Sequence, residues 1–384
     1  MTQYDYIIIG AGASGLMLAD ALGRDDFFAG KSILVLDKST KNSNDRTWCY
    51  WERGEGRFDD IVSNTWQHIS FGGQQVSKNF DLAPYTYKMV RGIDFYESYL
   101  ERLRGHSNID FRHEEVTEVA DYGNRVIVTS DQDQYSVFKV FNSIFDYGMA
   151  THQNKYPVLQ QHFVGWTVRT KSPIFDVKRA TYMDFSVPQQ GNTRFMYVLP
   201  FSEREALVEY TLFSQELLSK EEYESAIRHY LQHDLHCTDY EITDTEQGSI
   251  PMTCYDFNEH HTPNIRYIGT AGGWAKPSTG YTFMSSSKKV PVLVEYLKSG
   301  TPLDRLSYKN RFWYYDLLLL DVLAKNNGQG HRVFETLFKN RDPQLIFKFL
   351  DEETSLWEDL KFVMGCPTGP FVKALLARIF GKYS

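Results

Sequence analysis

The first residues of the chain carry a glycine spacing that could hold phosphate. Residues 10–15 read Gly-Ala-Gly-Ala-Ser-Gly, a G-x-G-x-x-G pattern, directly after the apolar run at 6–9. In this pattern the first glycine permits a tight turn, the second lets the backbone approach a pyrophosphate, and the third lets a helix pack against a sheet. A helix that begins here presents free N–H groups and partial positive charge to phosphate oxygens. The pattern predicts a dinucleotide site formed by Gly10, Gly12, Ala13, Ser14 and Gly15.

A strand, a helix and a second strand are needed to position this loop. Apolar and small residues recur at helical spacing over 16–22, after the glycines. Residues 33–36 form a second apolar run, typical of a strand buried on both faces, and Asp37 ends it. Asp37 follows the last glycine by about 20 positions, which suits a carboxylate bound to ribose hydroxyls. The order of elements predicts a Rossmann-type βαβ unit with Asp37 as a cofactor-binding residue.

A second glycine-rich segment lies far downstream. Residues 266–268 read as a strand, and Gly-Thr-Ala-Gly-Gly follows at 269–273. Such a loop can bring Gly272 and Gly273 to the same cofactor. In FAD, these glycines would lie nearer the ribityl chain and the flavin ring than the first motif does. The first motif also lies at the very start of the sequence, as is usual in flavoproteins of this class. Together these features favour FAD over NAD.

The overall composition is that of an ordinary globular protein. The 384 residues are 42% hydrophobic and 23% charged, enough for a large core and for more than one domain. The net charge of −8 argues against binding to nucleic acid, which needs a basic surface. Aromatic residues reach 15%, and they form either a large aromatic core or the lining of a long apolar pocket.

The four cysteines indicate neither a metal site nor a disulfide framework. Cys49, Cys237, Cys254 and Cys366 are scattered and form no C-x-x-C pair. This usage is typical of a reducing compartment, so we expect a cytoplasmic protein. No apolar stretch approaches the ~20 residues that span a bilayer, so any membrane contact is expected from one side only.

The order of strands and helices predicts a mixed α/β fold. We expect a Rossmann-type FAD-binding domain, an inserted antiparallel-sheet substrate domain and a helical C-terminus. The FAD-binding domain is predicted to be discontinuous, with pieces at 1–75, 94–155 and 245–300. The substrate-binding sheet takes 76–93 and 156–244, and the C-terminal helical region takes 301–384.

Several further motifs keep a fixed order along the chain. Asn44–Trp51 contains N-D-R-T-W, and Phe145–Gly148 reads F-D-Y-G. The others are Gln161–Trp166 (Q-H-F-V-G-W), Leu207–Thr211 (L-V-E-Y-T), Glu246–Met252 (E-Q-G-S-I-P-M) and Ala271–Tyr281 (A-G-G-W-A-K-P-S-T-G-Y). These segments resemble the N-x-T-W, D-x-R-G, Q-x-F-x-G-W, F-x-E-D-T, E-x-G-x-L-P-M and A-G-x-x-x-x-P-x-T-G-Y motifs of the lycopene cyclase flavoproteins, in particular the bacterial and plant-type β-cyclases. The arginine of D-x-R-G is absent here, Leu207 and Tyr210 replace Phe and Asp of F-x-E-D-T, and the N-x-T-W segment has one extra residue.

The resemblance implies an isomerase that uses a flavin without net electron transfer. In this family the linear ends of lycopene close to β-rings, giving γ-carotene and then β-carotene. FAD is active in its reduced form, and NAD(P)H is the implied electron donor. The implied partners are lycopene and related linear carotenoids, together with a membrane surface that the protein meets peripherally. Asp146 joins the expected cofactor-binding residues through the D-x-R-G position.

Ring closure begins with protonation of an alkene, so it needs a well-aimed acid. By its match to the family's acidic motif, Glu209 is the expected general acid, because a carboxyl group in an apolar pocket stays protonated near neutral pH. On the strand pattern alone, an exposed structural glutamate is the alternative. The carbocation that forms can be stabilised by aromatic faces and by reduced flavin. Residues expected to shape the substrate or cation site are Tyr210, Thr211, Glu246, Trp48, Trp51 and Trp274. For each aromatic the alternative is core packing, and the final proton acceptor is either Glu209 or the flavin.

Two C-terminal regions are candidates for contact with lipid. Residues 371–382 form a basic amphipathic helix pattern, which either lies on an anionic membrane surface or docks on the protein core. A second apolar region over 334–350 has the same two interpretations.

Two other classes of function share the cofactor motif. An FAD/NADPH-dependent monooxygenase or a prenyl reductase would use the same fold for redox chemistry and would consume NADPH with its substrate. A carotenoid-binding protein would hold lycopene without converting it. The identity of the pigment product separates these classes.

Overall fold

The computed structural model describes residues 1–381, so Lys382, the last residue of the predicted 371–382 helix, lies outside the described residues. The strands in chain order are β1 Thr2–Ile9, β2 Ile33–Asp37, β3 Thr47–Arg53, β4 Asn64–Trp66, β5 His68–Gly72, β6 Ser77–Asp81, β7 Tyr85–Arg91, β8 Ile109–His113, β9 Val116–Asp121, β10 Val126–Ser130, β11 Gln134–Asn142, β12 Val158–Thr170, β13 Arg179–Asp184, β14 Thr193–Ser202, β15 Glu205–Ser214, β16 Tyr240–Thr253 and β17 Ile265–Tyr267. The helices are α1 Ala13–Gly23, α2 Gly92–Arg104, α3 Gly148–Thr151, α4 Lys220–His229, α5 Phe283–Lys298, α6 Arg311–Lys325, α7 Gly330–Asn340, α8 Pro343–Leu350, α9 Leu356–Val363 and α10 Thr368–Ile379.

The first of two compact units contains residues 1–48, 91–153 and 254–311. Its sheet has the order β8-β2-β1-β11-β10-β9, and β17 pairs with the end of β11. Strands β8, β2, β1, β11 and β17 are parallel, whereas β10 and β9 form an antiparallel extension. Ile7, Ile8 and Ile9 are fully buried because the centre of a parallel sheet is covered on both faces. Parallel pairing places the carboxyl ends of β1, β2, β11 and β17 at one edge, where ligands bind in folds of this type.

The second unit contains residues 49–90, 154–253 and the chain from Phe312 onward. Its main sheet has the order β16-β12-β15-β14-β13-β5-β6, and a smaller sheet has the order β3-β7-β4. One face of β12 and β15 packs on helix α4 through a core that includes Val164, Trp166, Val208 and Ile227. Helix α4 begins at a capping box in which Ser219 and Glu222 exchange side-chain and backbone hydrogen bonds. Side chains alternate along a strand, so the intervening residues of β12 and β15 lie on the opposite face.

The predicted fold class is confirmed. The first unit has the Rossmann strand order, the second contains a mainly antiparallel sheet, and the C-terminal region is helical from α6 to α10. The compact units have different limits from the predicted domains: residues 49–75 group with the second unit, and so does the chain from Phe312. Assignment of the first unit to FAD and of the second to substrate stays a prediction. No helix within residues 1–381 is both long enough and apolar enough to span a bilayer.

Candidate active site

The glycine loop of the first unit forms a tight turn between β1 and α1. Gly10 has a φ of 93°, a conformation that favours glycine, and its N–H donates to Leu36 O at 2.7 Å. A Cβ on Gly15 would clash with Gly10 O, so only glycine lets the helix approach the loop this closely. By contrast, a Cβ on Gly12 would have no heavy atom within 4 Å. The backbone at Gly12 is therefore open to a phosphate group at the N-terminus of α1.

Asp37 connects the end of β2 to this loop. Its Oδ2 accepts a hydrogen bond from Ala11 N at 2.6 Å, and its Oδ1 accepts one from Ser39 N at 2.7 Å. Lys41 Nζ lies 3.2 Å from Oδ2. Each carboxylate oxygen has lone pairs beyond those used by the backbone, so Asp37 can accept ribose hydroxyls as well as hold the loop.

The second glycine-rich segment contacts the first. A Cβ on Gly269 would lie 2.7 Å from the Ser14 hydroxyl, and Ser14 Oγ lies 2.7 Å from Ser286 Oγ on α5. Gly273 has a φ of 68°, and a Cβ on Gly272 would clash with Tyr267 O. Close packing thus requires glycines here too, and Ser14, Gly272 and Gly273 belong to adjoining loops of one unit.

Three other predicted residues of the first unit lie around these loops. Asp146 is exposed beyond the end of β11, and its Oδ1 accepts a hydrogen bond from Gly148 N at 3.0 Å. Trp48 is half-buried and stacks on Phe283 at the start of α5, with ring centroids 5.0 Å apart. Trp274 is fully buried against Tyr308. The contacts of Trp274 are those of a packed core residue.

The second unit brings two carboxyl groups together across one glycine. Gly165 in β12 pairs with Glu209 in β15 on one side and with Glu246 in β16 on the other. Side chains in this row point to the same face of the sheet. A Cβ on Gly165 would lie 3.1 Å from Glu246 Cγ and 3.4 Å from Glu209 Cβ. Because glycine leaves this space empty, the two glutamates can lean towards each other and form a side-chain hydrogen bond.

The environment of Glu209 keeps its proton in place. Glu209 is buried, and burial raises the pKa of its carboxyl group well above the ordinary value. The neighbouring charge of Glu246 raises that pKa further, whereas the hydroxyl of Thr211 lowers it by donating to Glu209 Oε1 at 2.6 Å. Burial and the adjacent carboxylate outweigh the single hydroxyl. The balance favours the protonated form of Glu209, which is the form that a general acid requires.

The raised pKa of Glu209 predicts a pH dependence of stability. Folding with a raised carboxyl pKa contributes stability below the unfolded value of ~4.3, and that contribution is lost as the pH rises through the folded value. Glutamine at this position cannot ionise. We therefore expect the free energy of unfolding of Glu209→Gln, relative to wild type, to increase with pH by up to about 1.4 kcal/mol per unit in this window. Urea unfolding of both proteins at several pH values measures the difference, and a difference independent of pH would exclude the raised pKa.

Tyr210 does not join the carboxyl pair, whereas Trp51 packs edge-on against Tyr182 at 6.5 Å, a ring that in turn contacts Tyr197, the cross-strand partner of Glu209. Tyr210 follows Glu209 directly, so its side chain lies on the opposite face, in the core under α4, where its hydroxyl accepts a hydrogen bond from Arg194 Nη1 at 3.2 Å. The predicted contact of Tyr210 with the cation is therefore corrected. Trp51 is buried, stacks on Phe347 at 4.4 Å and donates from Nε1 to Asp351 Oδ2 at 2.7 Å. These contacts attach β3 to α8.

Sequence reasoning missed the aromatic residue that does lie beside Glu209. Tyr197 in β14 is the direct cross-strand partner of Glu209 and is also buried. Its ring packs edge-on against Tyr182, which in turn contacts Tyr87. The Tyr87 hydroxyl hydrogen-bonds to the thiol of Cys49, and burial, with the charges of Glu246 and Glu209, raises the pKa of that thiol. Strand register was the missing signal, because these residues are distant in sequence.

Several solved structures share this fold, and some of them are flavin-dependent by name. A flavoprotein/dehydrogenase from Cytophaga hutchinsonii aligns with a TM-score of 0.62 at 13% identity, over 99% of this chain and all of that chain. A geranylgeranyl bacteriochlorophyll reductase-like protein from Thermoplasma acidophilum gives 0.59 at 11% identity over both full chains. The p-nitrophenol 4-monooxygenase of Pseudomonas putida gives 0.57 at 15% identity, over 98% of each chain. These similarities establish the fold.

Sequence comparison identifies the family. The lycopene beta-cyclase of Paracoccus sp. (strain N81106 / MBIC 01143) is 28% identical over 229 residues, covering 56% of this chain and 58% of that relative. This chain thus spans somewhat more than half the length of the curated relative it matches. The family described as lycopene cyclase protein matches residues 5–376. The chain therefore belongs to the lycopene cyclase protein family.

Proposed function

We propose that this protein is a lycopene β-cyclase that closes the linear ends of lycopene by acid catalysis, with reduced FAD and no net redox change. The products would be γ-carotene and then β-carotene. Family membership and the similarity to a named β-cyclase support the substrate class. The observation that carries the proposal is the buried Glu209, held protonated beside Glu246. An alkene is a very weak base, and an unionised carboxyl group in an apolar site is suited to protonating it.

In the proposed mechanism, Glu209 donates the proton and Glu246 positions it. Glu209 carries the proton, and Glu246 accepts a hydrogen bond from it and holds it near the reacting end. Transfer to the terminal alkene leaves a carbocation on the substrate and a carboxylate on Glu209. Ring closure moves the cation, and loss of a neighbouring proton gives the ring alkene. The Glu209 carboxylate can take that proton, which restores the acid for the next turnover.

The carbocation must be shielded from water until the proton leaves. Tyr197 and Tyr182 lie on the same side of the sheet as Glu209, and their packed rings exclude solvent there. Aromatic faces also attract a cation electrostatically. Thr211 holds Glu209 Oε1, so the second oxygen is left to carry the transferable proton.

Binding of FAD is assigned to the first unit. The open backbone at Gly12 and the N-terminus of α1 would hold the pyrophosphate, and Asp37 would bind the ribose. Gly272, Gly273 and Asp146 would contact the remainder of the cofactor. Bound reduced FAD would supply negative charge that favours a cationic intermediate, and NAD(P)H is the proposed reductant.

Blocking the open backbone at Gly12 should weaken FAD binding without unfolding the protein. Gly12 has a φ of −78°, which any residue adopts, and a Cβ there would meet no heavy atom within 4 Å apart from its chain neighbours. We expect Gly12→Val to weaken FAD affinity by about tenfold, the equivalent of one hydrogen bond to a charged phosphate. Flavin fluorescence titration of the reconstituted protein measures the affinity. Gly30→Val is the matched control, because Gly30 is equally open but lies at an exposed turn. Equal FAD affinities in both variants would exclude the glycine loop at Gly12 from phosphate binding.

Expression in cells that accumulate lycopene tests the activity. We expect γ-carotene and β-carotene by chromatography of the pigments. Oxygenated products would identify a monooxygenase, more saturated products a prenyl reductase, and bound but unchanged lycopene a carotenoid carrier. Any of these outcomes from folded, FAD-loaded protein would reject the cyclase.

A further inference from the structure

Helices α9 and α10 expose an unusual number of large apolar side chains. Half of the exposed large hydrophobic residues within positions 1–381 fall in the short segment 356–380. Trp357 is 73% exposed and Ile379 is 64% exposed. The remaining members are Leu356, Leu360, Val363, Met364, Val372, Leu375, Leu376 and Phe380. Such a concentration marks a binding surface, because soluble surfaces normally scatter their apolar residues.

The exposed side chains form one face on each helix. On α9 they recur at 356, 357, 360 and 363, and on α10 at 372, 375, 376 and 379, spacings that share a face of an α-helix. The opposite faces already have partners. Phe362 of α9 stacks on Phe349 of α8 at 3.7 Å, and Ala374 of α10 packs in a core with Val322 and Val333. We call the two outward faces together the α9–α10 surface.

The charges on this surface have one sign. Residues 360–381 contain Lys361, Lys373 and Arg378 and no acidic residue, in a chain with a net charge of −8. Arg378 is held by a bidentate ion pair with buried Asp321, which fixes α10 on α6. Lys361 and Lys373 are exposed among the apolar side chains.

The acidic groups within α9 are neutralised or buried. Glu358 pairs with Lys348 at 2.6 Å. Asp359 is buried and accepts a hydrogen bond from Thr354 Oγ1 at 2.5 Å. Glu352 and Glu353 are exposed but precede the helix. The α9–α10 surface itself is therefore apolar and basic.

We propose that the α9–α10 surface binds the headgroup region of an anionic lipid bilayer. Apolar side chains flanked by lysines suit an acyl boundary beneath negatively charged headgroups, and tryptophan favours this interface. A second copy of the chain would bring two basic surfaces together, which electrostatic repulsion opposes. Binding to lipid goes beyond the proposed reaction, because neither Glu209 nor the FAD loop takes part in it.

Vesicle flotation of the full-length protein tests this surface. The probes are vesicles of phosphatidylglycerol with phosphatidylcholine, and vesicles of phosphatidylcholine alone. We expect wild type to float with the anionic vesicles, and Trp357→Ser/Leu360→Ser and Leu376→Ser/Ile379→Ser each to lower the partition coefficient about tenfold or more. These side chains are exposed, so their replacement leaves the core intact. Lys361→Gln/Lys373→Gln should reduce binding about fivefold per lysine on anionic vesicles. Tyr122→Ser, 70% exposed in the β9–β10 turn, should bind as wild type does.

Several outcomes would overturn the lipid assignment. They are no flotation of wild type with anionic vesicles, equal binding to both vesicle types, or serine variants that bind normally. A wild-type dimer that the same serine substitutions dissociate would assign the surface to a second copy. The assay contains no lycopene and no reductant, so its result is independent of cyclisation. Conversely, cyclisation of detergent-dispersed lycopene by the serine variants tests the reaction without the lipid surface.

Discussion

Glu209→Gln is expected to lower the rate of lycopene cyclisation by about 10²- to 10⁴-fold, the usual contribution of a general acid. Glutamine keeps the size of the side chain and can still accept the hydrogen bond from Thr211 Oγ1. It has no acidic proton, so the first step loses its donor. FAD content should be unchanged, because the residues assigned to the cofactor belong to the other compact unit. The measurement is the initial rate of ring formation with detergent-dispersed lycopene and chemically reduced FAD.

Glu205→Gln provides the matched control for this substitution. Glu205 begins the same strand, but it is half-buried and pairs with Arg169 at 3.2 Å. A partly exposed ion pair of this kind contributes little to stability or catalysis. We expect wild-type rates from Glu205→Gln. Full activity in Glu209→Gln, or equal losses in both variants, would remove Glu209 from the role of acid.

Glu246→Gln is expected to reduce cyclisation by about 10- to 100-fold, the free energy of one hydrogen bond to a charged group. The charge of Glu246 raises the pKa of Glu209, so its removal lowers that pKa. Glu209 acts when protonated, and activity is lost as the pH rises through its pKa. In Glu246→Gln that loss should therefore occur at lower pH than in wild type. A pH–rate profile of both proteins measures the shift.

The shift in pH dependence distinguishes positioning of the proton from a general structural role. Asp244→Asn changes an exposed carboxylate on the same strand and should leave the profile unchanged. A damaged fold would lower the rate at every pH without moving the profile. An unshifted profile with a reduced rate would therefore contradict the proposed coupling of Glu246 to Glu209.

Local sequence was sufficient to predict the Rossmann unit. The glycines at 10–15 act through backbone conformation and close packing, and both requirements are visible in residue type and spacing alone. Asp37 was predicted from its distance to the glycines, and the structure adds that it also holds the loop through Ala11 N. The C-terminal helices were visible as well, through the period of their apolar residues.

The sequence could not predict which residues of distant strands pair with each other. Tyr210 was grouped with Glu209 as an aromatic residue of the same L-V-E-Y-T segment, yet neighbours in a strand point to opposite faces. Gly165, Glu246 and Tyr197 reach Glu209 only through the pairing of β12, β14, β15 and β16. Periodicity likewise cannot tell an apolar helix face that packs from one that stays exposed. That difference required the neighbours of α9 and α10.

Turnover in deuterated water tests the central claim most directly. If an exchangeable carboxyl proton starts ring closure and a different, carbon-bound proton leaves, the ring formed in a single turnover by enzyme equilibrated with deuterated water should carry one deuterium. Mass spectrometry of the carotenoids should show this gain with chemically reduced FAD. Ring formation should not consume NADPH. Single-turnover product without deuterium, or stoichiometric oxidation of NADPH for each ring, would contradict acid catalysis by Glu209.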